Sequence, residues 1–204
     1  ILNDKVGVII LSGAGDKAFI AGADIKLMQK MNRKDGLEFG KLGQSVTITI
    51  EQSPKPIIAA INGFALGGGC ELAMACHIRY ASPKSLIGLP EVTLGLIPGY
   101  GGTQRLRNLV GLGKASELIF SGKYIKSEEA LKIGLVNYLV DDEEELIKES
   151  VNLSKKFSEL TAPVSRAMTR HMLWTFSADS NPENAHIIES KLIDSRGLSE
   201  DAKE

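Results

Sequence analysis

Two glutamates close to a run of three glycines are the residues of this chain best suited to acid–base chemistry. The glycines at 67–69 are followed directly by a helix-forming run that contains Glu71. Free N–H groups at a helix start favour an anionic carboxylate, so we predict a lowered pKa and the role of base for Glu71. Glu91 follows Pro90 in an apolar segment, where burial would raise its pKa and favour the acid. A base paired with an acid of this kind is a pattern of proton transfer.

Backbone N–H groups form the second part of the pattern. Gly68 lies in the turn before the helix, and Ala23 occupies a similar place in an earlier turn that also leads into a helix. Two N–H groups aimed at one oxygen make an oxyanion hole. Together with two carboxyls, they suit a thioester carbonyl whose enolate is stabilised while a proton moves at the adjacent carbon.

Each of these residues also has an ordinary interpretation. Charged side chains are mostly exposed, so either glutamate could be a surface residue. The glycines could simply allow a helix to pack closely on a strand. Lys26 could be a solvated helix residue or a contact for a ligand phosphate, and Cys70, with no histidine near it in the sequence, is better explained as a core thiol than as a nucleophile.

The elements that position these residues form a repeated arrangement. An apolar strand over residues 6–12, a turn of small residues and a helix from about residue 24 correspond to a strand over 57–61, the glycine turn and a helix from about residue 70. Both strands are predicted to be buried on both faces. The breaker-rich apolar segment 89–102 is predicted to line a pocket.

The rest of the chain alternates helices and strands and then becomes helical. We therefore predict an α/β fold with a core over residues 1–140 and an α-helical C-terminal region over 141–204. A capping-type start is expected at Ser127. The further predicted helices are 35–50, 103–110, 114–120, 127–134, 143–160, 163–176 and 182–195, and the further strands are 77–81, 85–88 and 135–140.

Composition and residue spacing give no support to several classes of function. The net charge of −1 gives no support for nucleic-acid binding. No apolar run approaches the ~18 residues of a membrane-spanning helix, and no spacing of His, Cys, Asp or Glu indicates a metal site. The two cysteines, Cys70 and Cys76, fit buried thiols in a reducing compartment rather than a disulfide framework.

Three motifs carry a resemblance to a known family. They are FIAGADI at residues 19–25, KPIIAAINGFALGGGCELA at 55–73 and LPEVTLGLIPGYGGTQRL at 89–106. The chain resembles the enoyl-CoA hydratase/isomerase (crotonase) family. That resemblance implies a core of repeated ββα units, followed by helices that build a homotrimer or a hexamer made of two trimers.

The resemblance also implies a chemistry. The substrate would be an acyl-CoA thioester, coenzyme A would be part of that substrate, and no separate cofactor or metal would be needed. Glu71 would activate the water that attacks the β-carbon of a trans-2-enoyl-CoA, and Glu91 would deliver a proton to the α-carbon. The N–H groups of Ala23 and Gly68 would form the oxyanion hole. The implied contacts to substrate and CoA are Ala21, Ala23, Asp24, Ile25, Lys26, Gly67, Gly68, Pro90 and Gly99.

Two other functions stay open from the sequence. Enoyl-CoA isomerases of this family generally lack one of the two glutamates, so the presence of both favours hydration. A non-catalytic scaffold or RNA-binding member gains no support from the charge. The resemblance further implies that family segments before Ile1 and after Glu204 are missing, which leaves a bacterial cytoplasm or a mitochondrial matrix as the expected compartment. His77 stands where the family commonly has Asp, and we assign it a structural role.

Overall fold

Two sheets contribute to one hydrophobic core at the centre of the molecule. The computed structural model describes residue 3, residues 5–175 and residues 187, 190 and 191. Within those residues each sheet has four strands, in the orders β1-β3-β5-β8 and β2-β4-β6-β7. The first sheet contains β1 (Ile9–Ser12), β3 (Ile57–Ile61), β5 (Ile78–Ala81) and β8 (Tyr138–Leu139), and the second contains β2 (Ala18–Ile20), β4 (Phe64–Leu66), β6 (Leu86–Gly88) and β7 (Ile125–Lys126).

The repeated ββα arrangement is confirmed. Each unit places its first strand in one sheet and its second strand in the other, and a helix follows. Strand pairing is parallel except between β6 and β7. β3 lies between β1 and β5, and all five of its residues are buried, as the continuous apolar run predicts. The short strands β2 and β4, three residues each, were not identified from the residue pattern.

The first strand differs from its prediction. It spans Ile9–Ser12 rather than residues 6–12, and its three apolar residues are only half-buried. The reason is its position, since within the described residues β1 is an edge strand that pairs with β3 alone. A continuous apolar run therefore did not indicate burial on both faces here.

Eight α-helices occur in the described part of the chain, and the predicted ones that lie there are present. The β-branched half of α2 is helical like the rest. Ser127 is not a helix cap: Lys126 holds the N-cap position, and the Ser127 hydroxyl donates to the Pro83 carbonyl at 2.9 Å. The helices are α1 (Ile25–Met28), α2 (Arg33–Glu51), α3 (Gly68–Ala75), α4 (Gly102–Val110), α5 (Leu112–Ser121), α6 (Ser127–Lys132), α7 (Glu145–Leu160) and α8 (Pro163–Thr175).

The C-terminal helices begin after the last strand, β8. α7 packs on the first sheet, where Leu146 joins Ala60 and Val140 in a small buried cluster. The division into a 1–140 core and a 141–204 helical region stays a prediction, and the predicted helix 182–195 lies outside the described residues apart from three positions. No helix in the part of the chain described is both long and apolar enough to cross a bilayer.

The side chain of Asn62, which follows β3, links the first two ββα units through hydrogen bonds to the turn after β1. Its Oδ1 accepts from the Gly13 N–H at 3.1 Å, and its Nδ2 donates to the carbonyls of Gly13 and Gly15 at 3.3 and 2.8 Å. We expect Asn62→Ala to lower the free energy of unfolding by about 1–3 kcal/mol, because these groups lose their partners. Urea denaturation measures this, with Asn108→Ala on the exposed side of α4 as control. Equal stability of the two variants would contradict the prediction.

Candidate active site

A mainly apolar cavity of about 250 Å³ lies where the two repeated turns meet α2 and the segment 89–102. The prediction that this segment lines a pocket is confirmed. Both glutamates border the cavity, so the structure brings together two side chains that are 20 positions apart in the sequence. The predicted site residues that line it are Ala21, Ala23, Ile25, Gly67, Glu71, Pro90, Glu91 and Gly99.

Three predicted site residues are not part of the lining. Asp24 is the N-cap of α1, and its Oδ1 accepts from the Leu27 N–H at 3.1 Å. Lys26 is exposed on the same short helix. Gly68 follows the lining residue Gly67 and is the first residue of α3, where a backbone N–H has no acceptor within the helix. The contacts of these three residues with a substrate stay predictions.

Two glycines allow the two turns to approach each other and the carboxyls. Gly22 has φ +113°, and a Cβ there would lie 3.2 Å from the carbonyl oxygen of Leu66, the last residue of β4 before the glycine turn. Gly67 has φ 54° and ψ −124°, a combination that favours glycine, and a Cβ there would lie 3.0 Å from Oε1 of Glu91. Close packing against the backbone is enough to explain why residue 69 is glycine, because a Cβ there would lie 1.9 Å from the Ile20 carbonyl oxygen. It is not enough to explain the glycine at position 67.

Glu71 is buried in the first turn of α3, with 1% of its surface exposed. Its Oε1 accepts from the backbone N–H groups of Tyr100 at 2.8 Å and Gly102 at 2.7 Å. Burial raises the pKa of Glu71, and these hydrogen bonds and the charge of Arg105 oppose that rise. The predicted lowering of this pKa is therefore wrong, because loss of water outweighs the favourable environment at the helix start.

Glu91 lies in a 3₁₀ helix, Glu91–Leu94, on another wall of the cavity. Its Oε2 is buried and has no hydrogen-bond partner among the described residues. Burial raises the pKa of Glu91, and the negative charge of Glu71 raises it further. This direction confirms the prediction made from the apolar neighbourhood of Pro90.

The two carboxyls thus differ in hydrogen bonding rather than in the direction of their pKa shifts. Glu71 accepts two N–H bonds, which stabilise its ionised form. The unpartnered oxygen of Glu91 is costly as an anion and less costly as a protonated carboxyl. The hydrogen bonding therefore favours Glu71 as the carboxylate and Glu91 as the protonated group of the pair.

Three residues around Glu71 were not identified from the sequence. Tyr100 lines the cavity, and its carbonyl accepts hydrogen bonds from Thr47 and Arg105. The signal for Thr47 was a polar residue on the buried face of α2, and for Tyr100 it was the breaker-rich stretch that ends in Gly101-Gly102. Neither pattern predicts that Thr47 and Arg105 contact the carbonyl of Tyr100.

His77 has a structural environment. Its Nδ1 accepts from the Ile57 N–H at 2.9 Å, and its ring meets Trp174 edge to face at a centroid distance of 5.0 Å. Burial lowers the pKa of His77, so the neutral ring is favoured. Among the described residues no group of three or more His, Cys, Asp and Glu side chains is placed to hold a metal ion.

Comparison with known proteins gives a consistent answer. The model of the family "Enoyl-CoA hydratase/isomerase" matches residues 1–204. A short-chain-enoyl-CoA hydratase of Clostridium acetobutylicum is 49% identical over 171 residues, which cover 84% of this chain and 65% of that protein. A crotonyl-CoA hydratase of Syntrophomonas wolfei is 47% identical, with 85% of this chain and 68% of the relative covered.

The fold gives the same result. The crystal structure of an enoyl-CoA hydratase from Bacillus anthracis superposes with a TM-score of 0.94 at 35% identity, and it covers all of this chain and 78% of the crystallised one. The chain thus spans about two thirds to three quarters of the length of these relatives. On its sequence and its two-sheet ββα architecture, the chain belongs to the enoyl-CoA hydratase/isomerase family.

Proposed function

We propose that this chain hydrates a trans-2-enoyl-CoA to the 3-hydroxyacyl-CoA. The observation that carries the proposal is the pair of glutamates on one apolar cavity, one hydrogen-bonded as a carboxylate and the other with a buried, unpartnered oxygen. The chain's similarity to a short-chain-enoyl-CoA hydratase and a crotonyl-CoA hydratase supports it.

In the proposed reaction the thioester oxygen accepts hydrogen bonds from the N–H groups of Ala23 and Gly68. Glu71 takes a proton from water as the water oxygen bonds to the β-carbon. Glu91 gives its proton to the α-carbon, where the enolate electrons form the new C–H bond. Return of the proton from Glu71 to Glu91 restores the pair, so water is the net addition.

The substrate would supply coenzyme A, so the proposal needs no separate cofactor. Ala21 and Ile25 line the cavity together with Pro90 and Gly99. Asp24, the N-cap of α1, and Lys26 within that helix are exposed, and the Lys26 ammonium group would face a CoA phosphate.

We also propose a homotrimer or a hexamer of two trimers as the assembled form. Large apolar side chains are exposed on several helices, as expected for surfaces that another subunit would cover. They include Leu37 and Leu42 on α2, Phe120 on α5, and Leu160 and Leu173 on α7 and α8.

The decisive experiment for the function uses crotonyl-CoA and the full chain. We expect loss of the conjugated enoyl absorbance and a product heavier by one water, identified by mass spectrometry. An isomerase would instead change the position of the double bond of a 3-enoyl-CoA with no change in mass. Absence of water addition to crotonyl-CoA and to longer 2-enoyl-CoA esters would refute the proposal.

The oxyanion hole can be tested at Gly68. Proline is tolerated at the first residue of a helix but has no N–H, so we expect Gly68→Pro to lower kcat by about 10²–10³-fold. Gly68→Ala is the matched control: it keeps the N–H and adds a Cβ 2.8 Å from the Tyr100 ring. Steady-state kinetics should show the proline variant far slower than the alanine variant. Equal rates would mean that the N–H of Gly68 has no part in catalysis.

A further inference from the structure

The loop that supplies hydrogen bonds to Glu71 is irregular, and one contact from outside it is the bond that Nε2 of Gln44 donates to the Gly99 carbonyl at 2.9 Å. It has no regular structure between the 3₁₀ helix and α4, and two of its apolar residues, Leu96 and Ile97, are 46% and 77% exposed. The N–H groups of Tyr100 and Gly102 nevertheless converge on one oxygen of Glu71. Something outside the loop must therefore hold it.

The structure provides that support at the carbonyl of Tyr100. This oxygen accepts from Nη1 of Arg105 at 2.8 Å and lies 2.9 Å from the Thr47 hydroxyl, which shares its one proton between this oxygen and the Gln44 carbonyl of its own helix, also at 2.9 Å. Thr47 lies in α2 and is fully buried, and Arg105 lies in α4. Nη2 of Arg105 is paired with Oε2 of Glu51 at 2.7 Å, which fixes the guanidinium group from α2 as well. Two helices therefore hold one loop carbonyl.

The ring of Tyr100 is fixed between two glycines. A Cβ on Gly43 in the middle of α2 would lie 2.1 Å from the ring, and a Cβ on Gly68 would lie 2.8 Å from its other edge. Glycine inside a helix costs roughly 0.5–1 kcal/mol relative to alanine, so Gly43 is unfavourable for the helix by itself. The space it leaves is filled by the Tyr100 ring, which explains its presence there.

We propose that Thr47, Arg105 and Glu51 are positioning residues: by holding Tyr100, they keep the Tyr100 and Gly102 N–H groups on Glu71. The inference rests on the proposed function, because it concerns how the base is kept ready. It assigns a task to the inner face of α2, a helix that contributes no carboxyl to the cavity. It also assigns a role to Arg105, whose hydrogen bond to the Tyr100 carbonyl connects α4 to the loop.

A displacement of the loop should be measurable as a change in the pKa of Glu71, because hydrogen bonds to a carboxylate lower its pKa. The titratable and charged groups that face Glu71 are Cys70 on its own helix, Glu91 on the 3₁₀ helix, Tyr100 on the loop and Arg105 on α4. A change at Arg105 would remove a charge as well as a contact. A change at Thr47 replaces none of these four groups and alters no charge, so it reports on the position of the loop.

The experiment compares Thr47→Val with the wild-type chain in hydration of crotonyl-CoA. Valine keeps the shape of threonine and removes the hydroxyl. We expect a kcat about three- to tenfold lower with little change in KM, from the loss of one neutral hydrogen bond. The acidic limb of the pH profile of kcat/KM should move to higher pH, because Glu71 loses part of its hydrogen bonding and is protonated more easily. Thr47→Ser should restore both values.

Thr49→Val is the matched control, because the Thr49 hydroxyl is exposed and bonds only to the Ser45 carbonyl of the same helix. Glu51→Gln is a second variant that weakens the hold on Arg105 without touching the core. It should shift the same limb in the same direction, so the test does not depend on whether Thr47→Val folds.

An unchanged acidic limb in Thr47→Val and Glu51→Gln, or an equal effect of Thr49→Val, would overturn the inference. A wild-type chain that does not hydrate crotonyl-CoA would refute the proposed function instead, so the two failures are distinguishable.

Discussion

Glu71→Gln is expected to lower kcat for crotonyl-CoA hydration by about 10²–10⁴-fold, the range for loss of a general base. The amide oxygen of glutamine can still accept from the N–H groups of Tyr100 and Gly102, so the loop keeps its place. Glutamine cannot take a proton from water at neutral pH. KM should therefore change little, and the loss should appear in kcat when initial rates are measured over a range of substrate concentrations.

The same variant has a second, independent signature in its pH profile. The acidic limb of kcat/KM that reports protonation of the base should disappear. The alkaline limb should move to lower pH, because the charge of Glu71 raises the pKa of Glu91 and the variant lacks that charge. Glu128→Gln, an exposed glutamate of α6, serves as control and should match the wild type. If Glu71→Gln kept the wild-type kcat, another group would have to be the base.

Local patterns predicted the strands and helices better than they predicted burial. The apolar run 57–61 predicted a buried central strand, and the structure confirms it. The similar run at the start of the chain became a half-buried edge strand, because strand order depends on pairing between distant segments. The three-residue strands β2 and β4 are too short to produce a periodic signal.

In the candidate site, too, the sequence was a better guide to residue types than to burial. The residue types indicated Glu71 and Glu91 as candidates for proton transfer, and both line the cavity. The pKa of Glu71 was predicted in the wrong direction, because a helix start is visible in a sequence while the depth of burial is not. The hydrogen bonds that favour its anionic form come from Tyr100 and Gly102, 29 and 31 positions away, and no local rule indicates such a contact.

Glu91→Gln is expected to lower kcat by about 10²–10⁴-fold through a different step, the transfer of a proton to the α-carbon. Glutamine fills the same space and has no acidic proton to give. The diagnostic measurement uses the 3-hydroxyacyl-CoA product in heavy water. The wild-type chain should incorporate deuterium at the α-carbon, and Glu91→Gln should lose this exchange while it still binds crotonyl-CoA with near wild-type affinity.

Stability separates this role from a structural one. The folded-state pKa of Glu91 is raised, so the unfolded chain gives up this proton more readily, and the folded state loses stability as the pH rises towards the folded pKa. A neutral glutamine avoids that loss. Thermal unfolding at a pH above the folded-state pKa of Glu91 should therefore show Glu91→Gln at least as stable as the wild type. This is the expected result where a catalytic residue lowers the stability of the folded protein. A lower Tm together with intact α-carbon exchange would instead make Glu91 a structural residue and leave the proton to another donor.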